Sequence, residues 1–109
     1  MPDIIYRGYP VRNPNRTLYV GRTRQDLSDY VNKRNQECFH SNPSSRRKLF
    51  LFMRKAYRTK LNADTNMHWE IVENIRDDRT KKQIQKREQY WIDRLEPSYN
   101  SRNEIAKIN

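Results

Sequence analysis

The alternation of apolar and polar side chains predicts a small sheet built from three short strands. Residues 4–9 and 16–21 are apolar-rich runs joined by a polar segment that contains two prolines. Two such runs with one tight connection are typical of a β-hairpin. The segment 67–75 alternates large apolar with polar side chains and predicts a third strand.

Three other segments have the helical period. The pattern predicts helices over about 26–38, over 46–60 and over 81–96. Thr23 and Thr80 are the predicted caps of the first and last of them, and the stretch between the second helix and the third strand is predicted to be a turn. The most apolar helix, 46–60, is the best candidate for the central packing element.

The predicted order is therefore β-β-α-α-β-α. This order favours an α+β fold in which a three-stranded antiparallel sheet is flanked by helices. The length of 109 residues fits one domain. We expect its core to span about 4–100 and a polar tail to occupy 101–109.

Two charged residues fall inside predicted apolar stripes. Glu88 lies within the stripe of the last helix, and Arg34 lies within the stripe of the first. Either alone has a structural explanation, since an arginine head can reach water past a buried stem and a buried carboxylate can be paired with a cation. Burying both would cost several kcal/mol per ion, so the pair favours a functional use such as binding a divalent cation and a phosphate.

The composition narrows the choice of partner. The chain has 23 Lys and Arg against 13 Asp and Glu, a formal charge of +10 spread along its length. Such a charge favours a polyanion, and nucleic acid is the first candidate. One cysteine and two histidines argue against a thiol-based or histidine-rich metal site. No apolar run approaches the ~20 residues of a membrane span, and with no signal peptide apparent we expect an intracellular protein.

Tyr6 and Tyr19 are both placed in the predicted hairpin. Ordinary packing is the favoured explanation for two tyrosines on strands. The alternative is that their hydroxyl groups bind a water molecule or a phosphate in the same cleft as the two inward charges. The residues by themselves leave both explanations open.

Three motifs together resemble the GIY-YIG nuclease domain. "IIY" at 4–6 stands where that family has its first tripeptide, "YVG" at 19–21 stands at the second, and "REQYWIDRLEPSYN" at 87–100 is similar to its closing motif. The resemblance covers nearly the whole predicted core, and the closing motif is its most specific part. It implies the same order of elements and metal-dependent cleavage of DNA phosphodiester bonds.

The resemblance also implies roles for individual residues. Tyr6 and Tyr19 would be the family tyrosines, and Tyr19 would help to orient or deprotonate the attacking water. Glu88 would bind the metal ion, Mg²⁺ or Mn²⁺, and Asn100 would support the late end of the site. The predicted substrate contacts are completed by Arg22, Arg24, Tyr30, His40 and Asn100.

This sequence departs from the family pattern at two positions. Ile4 replaces the first glycine, and Tyr30 stands where the family places its catalytic arginine. Arg34 lies one helical turn after Tyr30 and can reach the same phosphate, with Arg22 or Arg24 as the alternatives. If none of them does so, the domain is a catalytically degenerate module that only binds nucleic acid.

The expected function is a metal-dependent endonuclease that acts on DNA. A core of this size grips little DNA by itself, so either specificity is low, or the chain forms a homo-oligomer, or a targeting partner protein directs it. The sequence does not decide among these three, nor between DNA and RNA.

Overall fold

The computed structural model describes residues 2–100, which form one three-stranded sheet with helices against both faces. The predicted tail, 101–109, lies outside the described residues. The elements in chain order are β1 (Ile4–Pro10), β2 (Tyr19–Thr23), α1 (Leu27–Gln36), a π-helical turn (Glu37–Ser41), α2 (Lys48–Ala56), α3 (Lys60–Asn66), β3 (Met67–Asn74) and α4 (Lys81–Leu95).

The sheet has strand order β2-β1-β3 and is antiparallel throughout. Strand β1 is central, so that Tyr6 lies opposite Gly21 of β2 on one side and opposite Ile71 of β3 on the other. An irregularity between Ile5 and Tyr6 shifts the register with β3. The predicted α+β class, the antiparallel sheet and the early hairpin are confirmed.

The two faces of the sheet carry separate cores, because successive side chains of a strand point to opposite sides. Ile5 and Val20 pack beneath α4 with Ile75 and Ile84. The larger core lies on the other face, where α1, α2 and α3 cover the sheet. Its buried members are Tyr6, Leu18, Tyr19, Cys38, Leu49, Phe50, Met53, Ala63 and Met67.

Helix α2 is a main packing element of the larger core, as predicted. Leu49 and Met53 are buried, and Phe50 is buried with them. Ala56, the last residue of the helix, is exposed. Phe52 is half-buried and stacks on Tyr99, with their ring centroids 4.5 Å apart.

Helix α3 occupies most of the stretch before β3, where the sequence predicts a turn, so the predicted turn is wrong. The Thr59 side chain accepts a hydrogen bond from Asn62 N and caps the helix. Only Ala63 is buried, whereas Leu61 is 73% exposed, so no apolar stripe marks this helix. The cap of α1 is Asp26 and not Thr23, while the predicted cap of α4 at Thr80 is confirmed as a full capping box.

The segment 98–100 closes part of the outer edge of β2. Ser98 N donates to Thr17 O at 3.1 Å, and Tyr99 N donates to Leu18 O at 2.8 Å. The Asn100 side chain then binds both backbone groups of Val20, accepting from N and donating to O, each at 2.8 Å. An unpaired strand edge exposes its backbone polar groups, and here a side-chain amide satisfies them.

We expect Asn100→Ala to lower the free energy of unfolding by about 1–3 kcal/mol, because the N–H and C=O of buried Val20 lose their partner. Equilibrium urea denaturation measures the change. Asn66→Ala is the matched control, since that side chain makes one local bond to Asn62 O. Equal effects of the two substitutions would contradict the role assigned to Asn100.

Candidate functional site

Three tyrosines from three different elements meet on the larger-core face of the sheet. Tyr6, on the central strand, is 1% exposed, and its ring centroid lies 6.2 Å from that of Tyr19 on β2 and 5.4 Å from that of Tyr30 on α1. Its ring also covers Gly21, where an added Cβ would lie 2.6 Å from Tyr6 Cζ. The absence of a side chain at Gly21 is therefore what lets the two strand tyrosines approach each other.

Arg34 belongs to this cluster through Tyr30, four residues earlier on α1. Arg34 Nε donates to the Tyr30 hydroxyl oxygen at 2.7 Å, and Nη2 donates to the same oxygen. The third nitrogen, Nη1, lies 3.9 Å from Glu37 Oε1. Helical spacing brings Arg34 and Tyr30 onto one face, and the guanidinium donates towards the tyrosine with two of its three nitrogens.

Arg47 completes the cluster, and the sequence did not single it out. Its Nη2 donates to the Tyr19 hydroxyl oxygen at 3.3 Å, and its guanidinium carbon lies 5.1 Å from the centre of the Phe50 ring. It holds the N-cap position of α2 in an extended backbone conformation. In the sequence Arg47 belongs to a basic pair before α2, and this pair does not stand out among 23 Lys and Arg residues.

The environment of Tyr6 within the cluster determines its protonation state. Burial, followed by the neighbouring Tyr19 and Tyr30, raises the pKa of Tyr6 well above its usual value. Tyr6 is therefore a neutral hydroxyl near pH 7, and its side chain is hydrogen-bonded to that of Tyr30. It is unsuited to serve as the base that deprotonates a water molecule.

Glu88 lies on α4, against the opposite face of the sheet. Its side chain is 12% exposed, and its Oε1 lies 3.6 Å from Nε of Arg22, a β2 residue whose side chain is 28% exposed. The prediction of an inward Glu88 is thus confirmed. The predicted cation partner for such a carboxylate is provided by Arg22.

The donor set around Glu88 limits how a metal ion could be held. No group of three or more His, Cys, Asp or Glu side chains suited to a metal ion occurs within residues 2–100. Mg²⁺ is commonly bound by one or two carboxylates together with waters and substrate phosphates. Glu88 fits an arrangement of that kind, in which the substrate supplies further oxygen ligands.

The tyrosine cluster with Arg34 and the Glu88 carboxylate lie on opposite faces of the sheet, so the structure does not bring the tyrosines and both inward charges into one cleft; strand β2 lies between the two groups. Tyr19 faces the tyrosine cluster, and Arg22 lies beside Glu88 on the other side of the same strand. Asn100 binds the backbone of Val20, which lies between Tyr19 and Arg22 on β2, and so has a positioning role. Substrate binding by Asn100 stays a prediction. His40 is exposed in the π-helical turn, and no contact within residues 2–100 joins it to either group.

A depression of about 510 Å³ lies at the end of β2, where Arg22, the partner of Glu88, lines it. We call it the basic cleft, because four of the residues that line it are cations. Two carboxylates also contribute to its walls. The charged lining residues are Asp3, Arg22, Arg24, Asp77, Arg79 and Lys81.

Comparison with protein-family models, curated proteins and solved structures gives no match to this chain. The likeness to the GIY-YIG domain therefore rests on the residues quoted above and on nothing outside the chain. Within residues 2–100, the helices are too short or too polar to cross a membrane.

Tyr6 gives the fold a testable dependence on alkaline pH. A pKa that is raised in the folded state means that folding favours the protonated phenol, so this stability is present below pH ~10 and is lost as the pH rises further. Between about pH 9 and 11 we expect the free energy of unfolding to fall less steeply in Tyr6→Phe than in the wild type. Above pH ~10 the two slopes should differ by up to ~1.4 kcal/mol per pH unit.

Urea denaturation across this range measures the slopes of stability against pH. The burial that raises the pKa of the Cys38 thiol to about 11 remains in the variant, so part of the slope persists. Tyr90→Phe, at an exposed position, is the control and should keep the wild-type slope. Parallel slopes for wild type and Tyr6→Phe would contradict the assignment.

Proposed function

We propose that this protein is a metal-dependent endonuclease that hydrolyses DNA phosphodiester bonds at a site resembling that of the GIY-YIG domain. One observation carries the proposal: β2 presents Tyr19, held by Arg47, on one face and Arg22 beside the nearly buried Glu88 on the other. On the first face a cation meets a tyrosine hydroxyl, and on the second a carboxylate is available to hold a divalent cation against a phosphate.

Glu88 would hold the metal ion, Mg²⁺ or Mn²⁺. When bound, this ion would neutralise charge on the scissile phosphate and on the departing oxygen. The positive charge of Arg22, close to Glu88, partly offsets the negative charge of the carboxylate before the substrate binds. As the substrate phosphate enters, Arg22 can exchange the carboxylate for a phosphate oxygen, because its guanidinium offers several donors in a planar fork.

Tyr19 would orient the attacking water. A phenol is a weak base at its ordinary pKa near ~10, so it needs positive charge beside it. Arg47 donates to the Tyr19 oxygen, which fixes the position of the hydroxyl group and supplies that positive charge. Tyr6, which remains neutral, would fix Tyr30 and the cluster around it.

Arg34 would stabilise the charge that develops on the phosphate. Its contacts also favour the second candidate function, a catalytically degenerate DNA-binding module. Nε and Nη2 both donate to Tyr30. The guanidinium therefore has fewer N–H donors left for a phosphate than an arginine without this contact would have. Turnover therefore depends on whether Arg34 and Tyr30 act together in place of the family's catalytic arginine.

DNA as the partner and an intracellular setting belong to the same proposal. The formal charge of +10 supports a polyanionic substrate. The small core supports recruitment either through a homo-oligomer or through a targeting partner protein. Size-exclusion chromatography with and without DNA distinguishes the homo-oligomer from a monomer.

We expect Glu88→Gln to abolish Mg²⁺-dependent nicking of supercoiled plasmid and to change DNA binding by less than about threefold. The amide keeps the shape of the side chain but loses the charge that a divalent cation requires. Asp93→Asn, at an exposed position on the same helix, is the control and should nick normally. Full nicking by Glu88→Gln would remove the basis of the proposal.

We expect Arg34→Ala to reduce single-turnover cleavage about a hundredfold to a thousandfold with a smaller effect on DNA affinity, because charge on the phosphate grows in the transition state. Arg34→Lys should recover only part of this loss, since an ammonium group lacks the planar fork. Tyr30→Arg separates the two candidate functions. A silent wild type that becomes active through Tyr30→Arg would identify a degenerate binding module.

A further inference from the structure

Two cations of the basic cleft have no ion-pair partner among the residues that the structure describes. Arg79 and Lys81 line it, and within residues 2–100 neither side chain forms a hydrogen bond or an ion pair. Arg22 lines the same cleft and lies 3.6 Å from Glu88. Arg22 therefore connects the cleft to the carboxylate of the proposed site.

A neighbouring depression of about 470 Å³ shares Arg79 with the basic cleft. It also contains arginines, but Arg76 is paired with Asp78 at 2.8 Å and Arg87 with Glu73 at 2.7 Å. Hydrogen bonding by Arg87, opposed by partial burial, lowers the pKa of Glu73 below its usual range. Two of its four cations, Arg76 and Arg87, are thus paired within the protein, whereas Arg79 and Lys86 form no ion pair within residues 2–100.

The position of Lys81 is unfavourable for the helix that carries it. Lys81 and Lys82 begin α4, and no acidic side chain lies in its first turn. Positive charge at the N-terminus of a helix opposes the helix dipole, so local stability does not explain these lysines. A negatively charged ligand beside them would.

We infer that the basic cleft binds a backbone phosphate of a DNA strand, adjacent to the phosphate held at Glu88. Arg79 and Lys81 contact this flanking phosphate, and Arg22 lies between the two phosphates. The inference rests on the proposed function for the identity of the polymer, and on the cleft itself for the place of contact. It assigns substrate binding to two residues, Arg79 and Lys81, that the family resemblance does not include.

The contact is of the kind that positions a strand without reading its sequence. Arginine and lysine donors to phosphate oxygens fix the register of the backbone and carry no base information. Each such contact contributes about 0.9 to the slope of log affinity against log salt on duplex DNA. This slope gives a measurement that depends on phosphate contacts and not on folding.

The test is fluorescence anisotropy of a short labelled DNA duplex in EDTA, at about 50 to 200 mM salt. The double variant Arg79→Gln/Lys81→Gln is compared with wild type and with Arg12→Gln/Lys55→Gln. The control removes the same charge from exposed sites, in the β1–β2 turn and on α2, that do not line the cleft. Circular dichroism checks that each variant is folded.

We expect the cleft variant to bind about tenfold more weakly and its salt slope to fall by about 2, with a smaller change in the control. Equal changes in the two double variants would overturn the inference and leave the proposed nuclease intact. Tighter binding of an RNA duplex of the same sequence, with the same loss in the cleft variant, would overturn the assignment to DNA. Wild type that fails to bind DNA at low salt would overturn the inference and remove the substrate of the proposed function.

Discussion

Strand β2 is an edge strand on which both cores and both halves of the candidate site depend. On one side it pairs with β1, and on the other the amide of Asn100 binds the backbone of Val20 in two directions. Tyr19 and Arg22 project from opposite faces of this strand. A shift of one residue in its register would exchange the faces, place a guanidinium in the larger core and separate Glu88 from its partner.

Aromatic rings and guanidinium groups replace much of the aliphatic material that a larger core would contain. Only 34% of the chain is hydrophobic, yet several arginine heads lie 4–6 Å from ring centres, such as Arg7 over Tyr9 at 4.2 Å and Arg87 over Tyr90 at 4.3 Å. Contacts of this type let cationic side chains cover apolar surface while the charge stays near water. A chain of +10 can therefore fold compactly without pairing each cation with a carboxylate.

Side chains of the candidate site likewise combine packing with a chemical role. Arg34 and Arg47 each donate to a tyrosine hydroxyl, so positive charge is brought to the tyrosine cluster by side chains that also support packing. Glu88 is kept from full burial and remains next to Arg22. The arrangement joins structural and chemical roles in the same residues, which is why a loss of activity in these variants has to be compared with their stability.

The order of the main elements, the antiparallel hairpin and the cap of α4 could be predicted from sequence, because they depend on local periodicity and on capping chemistry. The inward position of Glu88 could be predicted for the same reason, since it interrupts an apolar stripe. Helix α3 could not, because Ala63 is its one buried residue and leaves no stripe.

Tertiary structure alone decided which of many cations meet which partner. Arg47 touches Tyr19 across 28 residues, and Arg79 and Lys81 join Arg22 at one cleft although they belong to distant parts of the chain. Local sequence carries no signal for such contacts, since every arginine has the same donors. The sequence by itself determined the strands, most of the helices and the inward position of Glu88. The register of β2 and the packing of α2 and α4 on its two sides decided where the remaining charges lie, because only a folded sheet brings those segments together.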